Sequence, residues 1–283
     1  MDVLILKALE SIRCGFLDVF FSIFTLFGEE LVVAGVIAVI YICFNKEFGE
    51  RAIVTVLSAS CITTAVKSGV RRLRPYAAGN VTKADNFLTA DLDADMSFPS
   101  GHATASSGFF AALSIRFRKA YIIAPSAVLV FLIVLSRLYL GVHYPSDVLA
   151  GLVVGIGMAF LWALVYKGFY KARLYIYLGF AALTLIPLFI PAMQTKSMFE
   201  MSAIALATAI GLIVENKFIK FEDTDKWVKR IVRLALMALI AAIPYLLLGL
   251  LPETTLWFKF LQYFVTISAA IPGTPLLIKA FKI

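Results

Sequence analysis

The chain reads as a succession of long apolar runs separated by short polar loops. Apolar stretches recur at 31–44, 52–66, 103–115, 120–135, 148–166, 174–193, 201–214, 231–251 and 256–278. A spanning helix takes roughly 20 residues, and backbone in lipid must satisfy its hydrogen bonds within its own segment, so these runs predict membrane helices. Several runs are shorter than that and count as spans only with the polar residues at their ends. The pattern predicts an all-α polytopic membrane protein of about nine spans. Ahead of the spans, Leu4, Ile5, Ala8, Leu9 and Ile12 recur at helical spacing with Asp2, Lys7 and Glu10 between them. That segment predicts a helix lying in the membrane interface and running into the apolar stretch 16–27.

Composition sharpens this picture. The chain is 61% hydrophobic and 16% charged, with a mean hydropathy of +0.91, which excludes a soluble domain of this length. No internal repeat, low-complexity tract or Gly/Ser linker divides it, so one bundled unit is expected. Met1-Asp2 lacks the basic region that precedes a removable signal peptide. Cys14, Cys43 and Cys61 show no motif spacing, and the latter two fall within predicted spans, so all three are read as packing residues. The net charge of +8 belongs to loops at anionic headgroups, and no nucleic-acid partner is expected.

Charge also orients the chain. With nine spans, one side receives the loops near 45–51, 116–119, 167–173 and 215–230 and the C-terminal residues, which together carry 16 of the 26 basic residues. By the positive-inside rule that side is cytoplasmic. The opposite, outward side holds both of the chain's 2 histidines.

Three polar stations lie on that outward side. The first runs from Lys67 to Arg74-Pro75, at the end of the span 52–66. The second is Pro99-Ser100-Gly101-His102, at the start of the span near Ala103. The third runs from Ser136-Arg137 through His143 to Asp147. All three fall at helix ends, so they can converge. Lys67, Arg74 and Arg137 are cations suited to phosphate oxygens, arginine through its bidentate donors. Ser100 and Gly101 open a helix whose N-terminus offers free N–H groups, and Gly101 lets the backbone approach a ligand closely. Together these residues describe a phosphate cradle. Arg71, Arg72 and Lys83 are expected to be snorkelling anchors at a span end. Histidine titrates near neutrality, so His102 and His143 are the candidates for acid, base or nucleophile. The spacing from His143 to Asp147 is i to i+4, although Pro145 argues against a regular helix through it. If the two side chains meet, the carboxylate holds one imidazole nitrogen and leaves the other free to attack. The loop 77–98 carries Asp85, Asp91, Asp93 and Asp95 and is expected to be a solvated acidic loop, since the remaining ligands of a calcium loop are missing.

These residues resemble the type 2 phosphatidic acid phosphatase family, within the superfamily of bacterial acid phosphatases and vanadium haloperoxidases. Its three-part pattern is matched at every motif position by Lys67…Arg74-Pro75, Pro99-Ser100-Gly101-His102 and Ser136-Arg137…His143…Asp147, over residues 50–166. The resemblance implies a six-span phosphatase bundle as the core at 29–192; the apolar pattern adds an N-terminal interfacial helix at 1–28 and about three further transmembrane helices at 193–283, outside the family core. It implies dephosphorylation without metal or cofactor, through a phosphohistidine. His143 would be the nucleophile positioned by Asp147, and His102 the general acid. Lys67, Arg74, Ser100, Gly101 and Arg137 would bind the phosphoryl group. The expected partners are membrane lipids and a lipid phosphate substrate: undecaprenyl diphosphate, phosphatidylglycerol phosphate or phosphatidate. The expected location is a bacterial cytoplasmic membrane with the site facing outward. A phospholipid transporter or scramblase that keeps the site for headgroup binding, and a lipid phosphotransferase, are the competing readings. A vanadium oxidase is disfavoured by the membrane setting. The segment 193–283 carries no chemical motif, and the sequence does not speak to oligomeric state.

Overall fold

Helix follows helix wherever the apolar runs predicted it. The computed structural model describes residues 1–84, 96–252 and 255–283, and among these no strand occurs. The acidic loop residues Asp85, Asp91, Asp93 and Asp95 lie outside the described residues. The helices are α1 (Asp2–Ser11), α2 (Gly15–Leu26), α3 (Glu30–Val39), α4 (Lys46–Val70), α5 (Gly101–Phe117) and α6 (Ala120–Tyr139). They continue with α7 (Pro145–Gly168), α8 (Arg173–Leu183), α9 (Lys196–Val214), α10 (Trp227–Gly249), α11 (Leu256–Ser268) and α12 (Thr274–Ala280).

The chain is an all-α polytopic membrane protein. Among the described residues, 7 helical stretches are long and apolar enough to cross a bilayer: α4, α6, α7, Tyr170–Phe189, Lys196–Ile219, α10 and Leu256–Ala280. The stretches Gly15–Leu26 and Glu30–Phe44, bent by 47° where they join, pass the same test as a pair, and taken as one broken span they make an eighth. The difference from the expected nine is α5, whose 17 residues sit at the lower limit of a span because its first turn is given to Ser100, Gly101 and His102. Outward faces are apolar as lipid requires. Val228, Ile231, Leu239, Ile243 and Leu246 on α10 are all more than half exposed.

By internal contacts the chain divides into two units, residues 1–35 with 62–163 and residues 36–61 with 164–283. In the first unit α6 is the central element and packs on α1, α2 and α5. Helix α7 crosses α5 at Gly151 and Gly155. A Cβ at Gly151 would stand 2.6 Å from the Ser100 carbonyl oxygen, and one at Gly155 2.4 Å from that of Thr104. Small residues four apart let two helix backbones approach this closely in a membrane. Helix α1 buries Leu6 against Val81 and Tyr144, worth about 2 kcal/mol for a side chain removed from water.

In the second unit α9 packs on α8 and α11, and α10 lies on α11. Its buried carboxylate, Glu50, is fully matched. Oε1 accepts from Arg173 Nε at 2.8 Å, the Tyr166 hydroxyl at 3.1 Å and the Tyr177 hydroxyl at 3.2 Å, while Oε2 accepts from Asn216 Nδ2 at 3.0 Å. A buried carboxylate satisfied this completely is a packing device.

Candidate active site

Helix ends of the first unit carry the polar residues to one place. Ser100 is the N-cap of α5: its side chain accepts from Ala103 N at 3.4 Å and its own N–H donates to the Asp147 carbonyl at 3.0 Å. That second bond ties the start of α5 to the start of α7. Gly101 is the first residue of α5, and a Cβ there would stand 2.7 Å from Glu30 Oε1, which would have to swing aside. His102 follows, with its ring edge 3.2 Å from where a Cβ on Gly28 would be.

The loop after α6 is shaped by Gly141, whose φ of +74° favours glycine and whose Cβ position lies 2.7 Å from the Thr82 carbonyl oxygen. It leads to Pro145, the first residue of α7, where proline's fixed φ and missing N–H suit helix initiation. The proline therefore starts a helix between His143 and Asp147 and does not part them. His143 Nδ1 lies 3.6 Å from Asp147 Oδ2.

Asp147 is fully buried and heavily engaged. Oδ1 accepts from Arg72 Nη1 at 2.8 Å, and Oδ2 accepts from Tyr144 N–H at 2.8 Å and from the Ser97 hydroxyl. Arg72 also donates to the Ser146 hydroxyl at 2.7 Å and lies 3.8 Å over the Tyr144 ring. This corrects the expectation that Arg72 is a snorkelling anchor: its guanidinium turns inward because a buried carboxylate needs a cation. Arg71 and Lys83 stay peripheral. Arg71 Nε donates to the Ser68 carbonyl at 3.1 Å, and Lys83 lies 5.1 Å over the Tyr76 ring.

The two other arginines each meet a histidine. Arg74 Nη1 donates to the Val142 carbonyl at 3.0 Å and lies 3.2 Å from His143 Nε2. Arg137 Nη1 donates to Thr25 Oγ1 at 2.7 Å and lies 3.2 Å from His102 Nε2. A guanidinium only donates, so His143 Nε2 carries its lone pair toward Arg74, and the ring hydrogen of the neutral form is on Nδ1, facing Asp147. Burial pushes the His143 imidazole well below its usual range, and the charges of Arg74, Arg137 and Lys67 add to the effect. This favours the neutral imidazole, whose Nε2 lone pair faces Arg74. Lys67, in the last turn of α4, acts on this ring through its charge.

Lys67, Arg74, Ser100, Gly101, His102, Arg137, His143 and Asp147 thus converge at one end of the first unit. Arg72, Ser97 and Glu29, whose Oε2 lies 3.1 Å from His102 Nε2, join them and were not singled out by their sequence. For Arg72 nothing in the basic run tells which arginine turns inward. For Glu29 the signal is the acidic pair Glu29-Glu30 between two apolar runs. The arrangement offers cations and a helix N-terminus to a phosphoryl group, beside a neutral imidazole backed by a carboxylate.

Residues 50–171 match the PAP2 superfamily, and residues 199–283 match the PAP2 superfamily phosphatase transmembrane extension, which the motifs alone did not reach. The chain is 33% identical over 123 residues to a lipid A 1-phosphatase of Rhizobium etli, covering 42% of this chain and 50% of the relative. It is 30% identical over 164 residues to a lipid A 4'-phosphatase of Bacteroides thetaiotaomicron, covering 55% of this chain and 72% of the relative. An undecaprenyl-diphosphatase of Sulfolobus acidocaldarius is 30% identical over 137 residues, with 48% and 64% covered. The chain spans about half the length of the first of these. With the motif stations gathered at one site and both sequence regions accounted for, the chain belongs to the PAP2 superfamily.

Proposed function

We propose that this protein is a membrane lipid phosphatase that hydrolyses a phosphomonoester or diphosphate of a lipid through a phosphohistidine. The observation that carries the proposal is the disposition of His143: Nε2 faces Arg74 with its lone pair, and Asp147 stands behind Nδ1.

The substrate phosphoryl group sits among Lys67, Arg74, Arg137 and the N–H groups at the start of α5, which neutralise charge on its nonbridging oxygens. His143 Nε2 attacks phosphorus, forming the P–N bond while the bond to the lipid oxygen breaks. His102 gives its proton to that departing oxygen. Asp147 stabilises the positive charge that grows on the His143 ring, and is itself held by Arg72, Ser97 and the Tyr144 N–H. A water then attacks phosphorus, giving a proton to His102 as the P–N bond breaks. Free phosphate leaves and both histidines are restored. Helix dipole, cations and positioning supply the stabilisation, as in other phosphoryl transfers.

The basic-residue asymmetry supports an outward-facing site in a bacterial cytoplasmic membrane. The candidate substrates are undecaprenyl diphosphate, phosphatidylglycerol phosphate and phosphatidate, to which the names of the relatives add lipid A phosphates. Phosphate release from a panel of these lipids by wild type, His143→Ala and His102→Ala tests the proposal. His143→Ala should abolish both release and acid-labile labelling of the protein. Release that survives His143→Ala would overturn the nucleophile assignment. Wild-type lipid movement between leaflets without phosphate release, unchanged in the variant, would favour a scramblase.

A further inference from the structure

The bend between α2 and α3 brings a carboxylate to the second histidine. Glu29 Oε2 lies 3.1 Å from His102 Nε2, the same nitrogen that lies 3.2 Å from Arg137 Nη1. A guanidinium only donates and a carboxylate only accepts, so the two neighbours call for opposite states of that nitrogen. Arg137 has a second partner at 2.7 Å, Thr25 Oγ1, and a bound phosphate would draw its donors further away. Glu29 then decides the state of Nε2 in favour of the proton.

Electrostatics gives this choice its weight. The groups that bear on His102 are Lys67 from α4, Arg137 from α6, His143 from the loop before α7, and Glu29 from the bend. Arg137 and Lys67 oppose a positive imidazole, and Glu29 is the carboxylate that favours it. Gly28 fixes the approach: a Cβ there would stand 2.5 Å from Ile133 Cγ2 and 3.2 Å from the His102 ring, so the bend rests directly on the histidine.

We propose that Glu29 is a positioning residue that keeps the proton of His102 on Nε2, ready for the leaving oxygen. This rests on the proposed role of His102 as acid. No new bond to phosphorus is involved. The proton passes from His102 Nε2 to the lipid oxygen, and Nε2 recovers a proton from the attacking water.

The test separates protonation of the leaving group from everything else. Wild type, Glu29→Gln, Glu29→Asp, His102→Ala and the double variant are assayed with a lipid phosphate and with p-nitrophenyl phosphate, whose leaving group needs little protonation. Glu29→Gln should lower kcat on the lipid by about 10-fold or more, within the range of general acid catalysis. On the aryl ester it should stay within about 3-fold of wild type, and Glu29→Asp should recover part of the lipid activity. In the His102→Ala background Glu29→Gln should add no further loss. Equal losses on both substrates, or no loss on either, would overturn the inference. Failure of the underlying mechanism shows separately, as His143→Ala enzyme that still turns over or a wild type that never becomes phosphorylated.

Discussion

Gly151→Ala places one methyl group between α7 and α5. The new Cβ would stand 2.6 Å from the Ser100 carbonyl oxygen, 2.9 Å from Ala103 Cβ and 3.1 Å from Thr104 Oγ1, where ordinary contact begins at 3.4 Å. The nearest obstacle is backbone, so it cannot rotate aside and the helices must separate by about 0.8 Å. Overpacking of this kind costs about 1–3 kcal/mol, and the better helix propensity of alanine returns up to about 1 kcal/mol, so overpacking wins and the protein is modestly destabilised. Activity should suffer more. Gly151 lies four residues beyond Asp147, about 6 Å along the axis, and Ser100 is the cap whose N–H is bonded to Asp147. Moving α5 away from α7 moves His102 away from His143. Misplacement by about 1 Å can cost on the order of 100-fold in rate, so a kcat loss of about 10- to 100-fold is expected with only a small fall in melting temperature. Turnover in detergent and thermal unfolding of the purified protein measure the two effects. Gly157→Ala on the same helix is the control: nothing lies within 4 Å of its Cβ position, so activity should hold. If Gly151→Ala and Gly157→Ala behaved alike, the close crossing of α5 and α7 would not be what aligns the histidines.

Arg137→Lys keeps the charge but loses the fork that bonds Thr25 and meets phosphate, so kcat should fall by about 100-fold; near-normal turnover in detergent would count against a direct phosphate contact. Arg72→Ala leaves the buried Asp147 carboxylate without its guanidinium. It should cost about 1–2 kcal/mol once the one-third exposure of Arg72 is discounted, slow phosphohistidine formation, and leave lipid binding close to wild type. For pH, His143 is held below its ordinary value of about 6.5 by burial, then by Arg74, Arg137 and Lys67. Its neutral form therefore persists as pH falls, and kcat/KM should lose its His143 limb only well below the ordinary histidine range. Arg74→Met should move that limb upward, and an unmoved limb would remove Arg74 from among its causes.

Much of this was legible because the chemistry sits at helix ends. Pro99-Ser100-Gly101 marks a helix start by capping and backbone rules alone, and α5 begins where they place it. The apolar runs fixed which segments become membrane helices, and only the 17-residue α5 strained the length rule. The i to i+4 spacing of His143 and Asp147 was readable, but the effect of Pro145 was not, since proline both breaks and initiates helices. Arg72 and Arg74 look equivalent as letters. Which one reaches Asp147 and which reaches His143 depends on how the chain leaves α4, where Arg71 takes a φ of 52°. Glu29 is more than seventy residues from His102, and no local rule connects them. Helix α1 announced its apolar face but not that Val81 and Tyr144 would cover it.

Helix α1 also reaches across the chain in time. Asp2 accepts from the Ser146 hydroxyl at 2.5 Å and Glu10 from the Thr82 N–H at 2.7 Å, while Arg13, just past the helix, donates to the Tyr139 carbonyl at 2.8 Å, so these partners are translated 72 to 144 residues later. During synthesis this amphipathic segment emerges long before the loop it braces exists. It must wait, unpaired, while the spans after it insert, and it can settle only once the start of α7 has left the ribosome. The loop bearing His143 is therefore a late product of assembly, stitched from the two ends of the first unit.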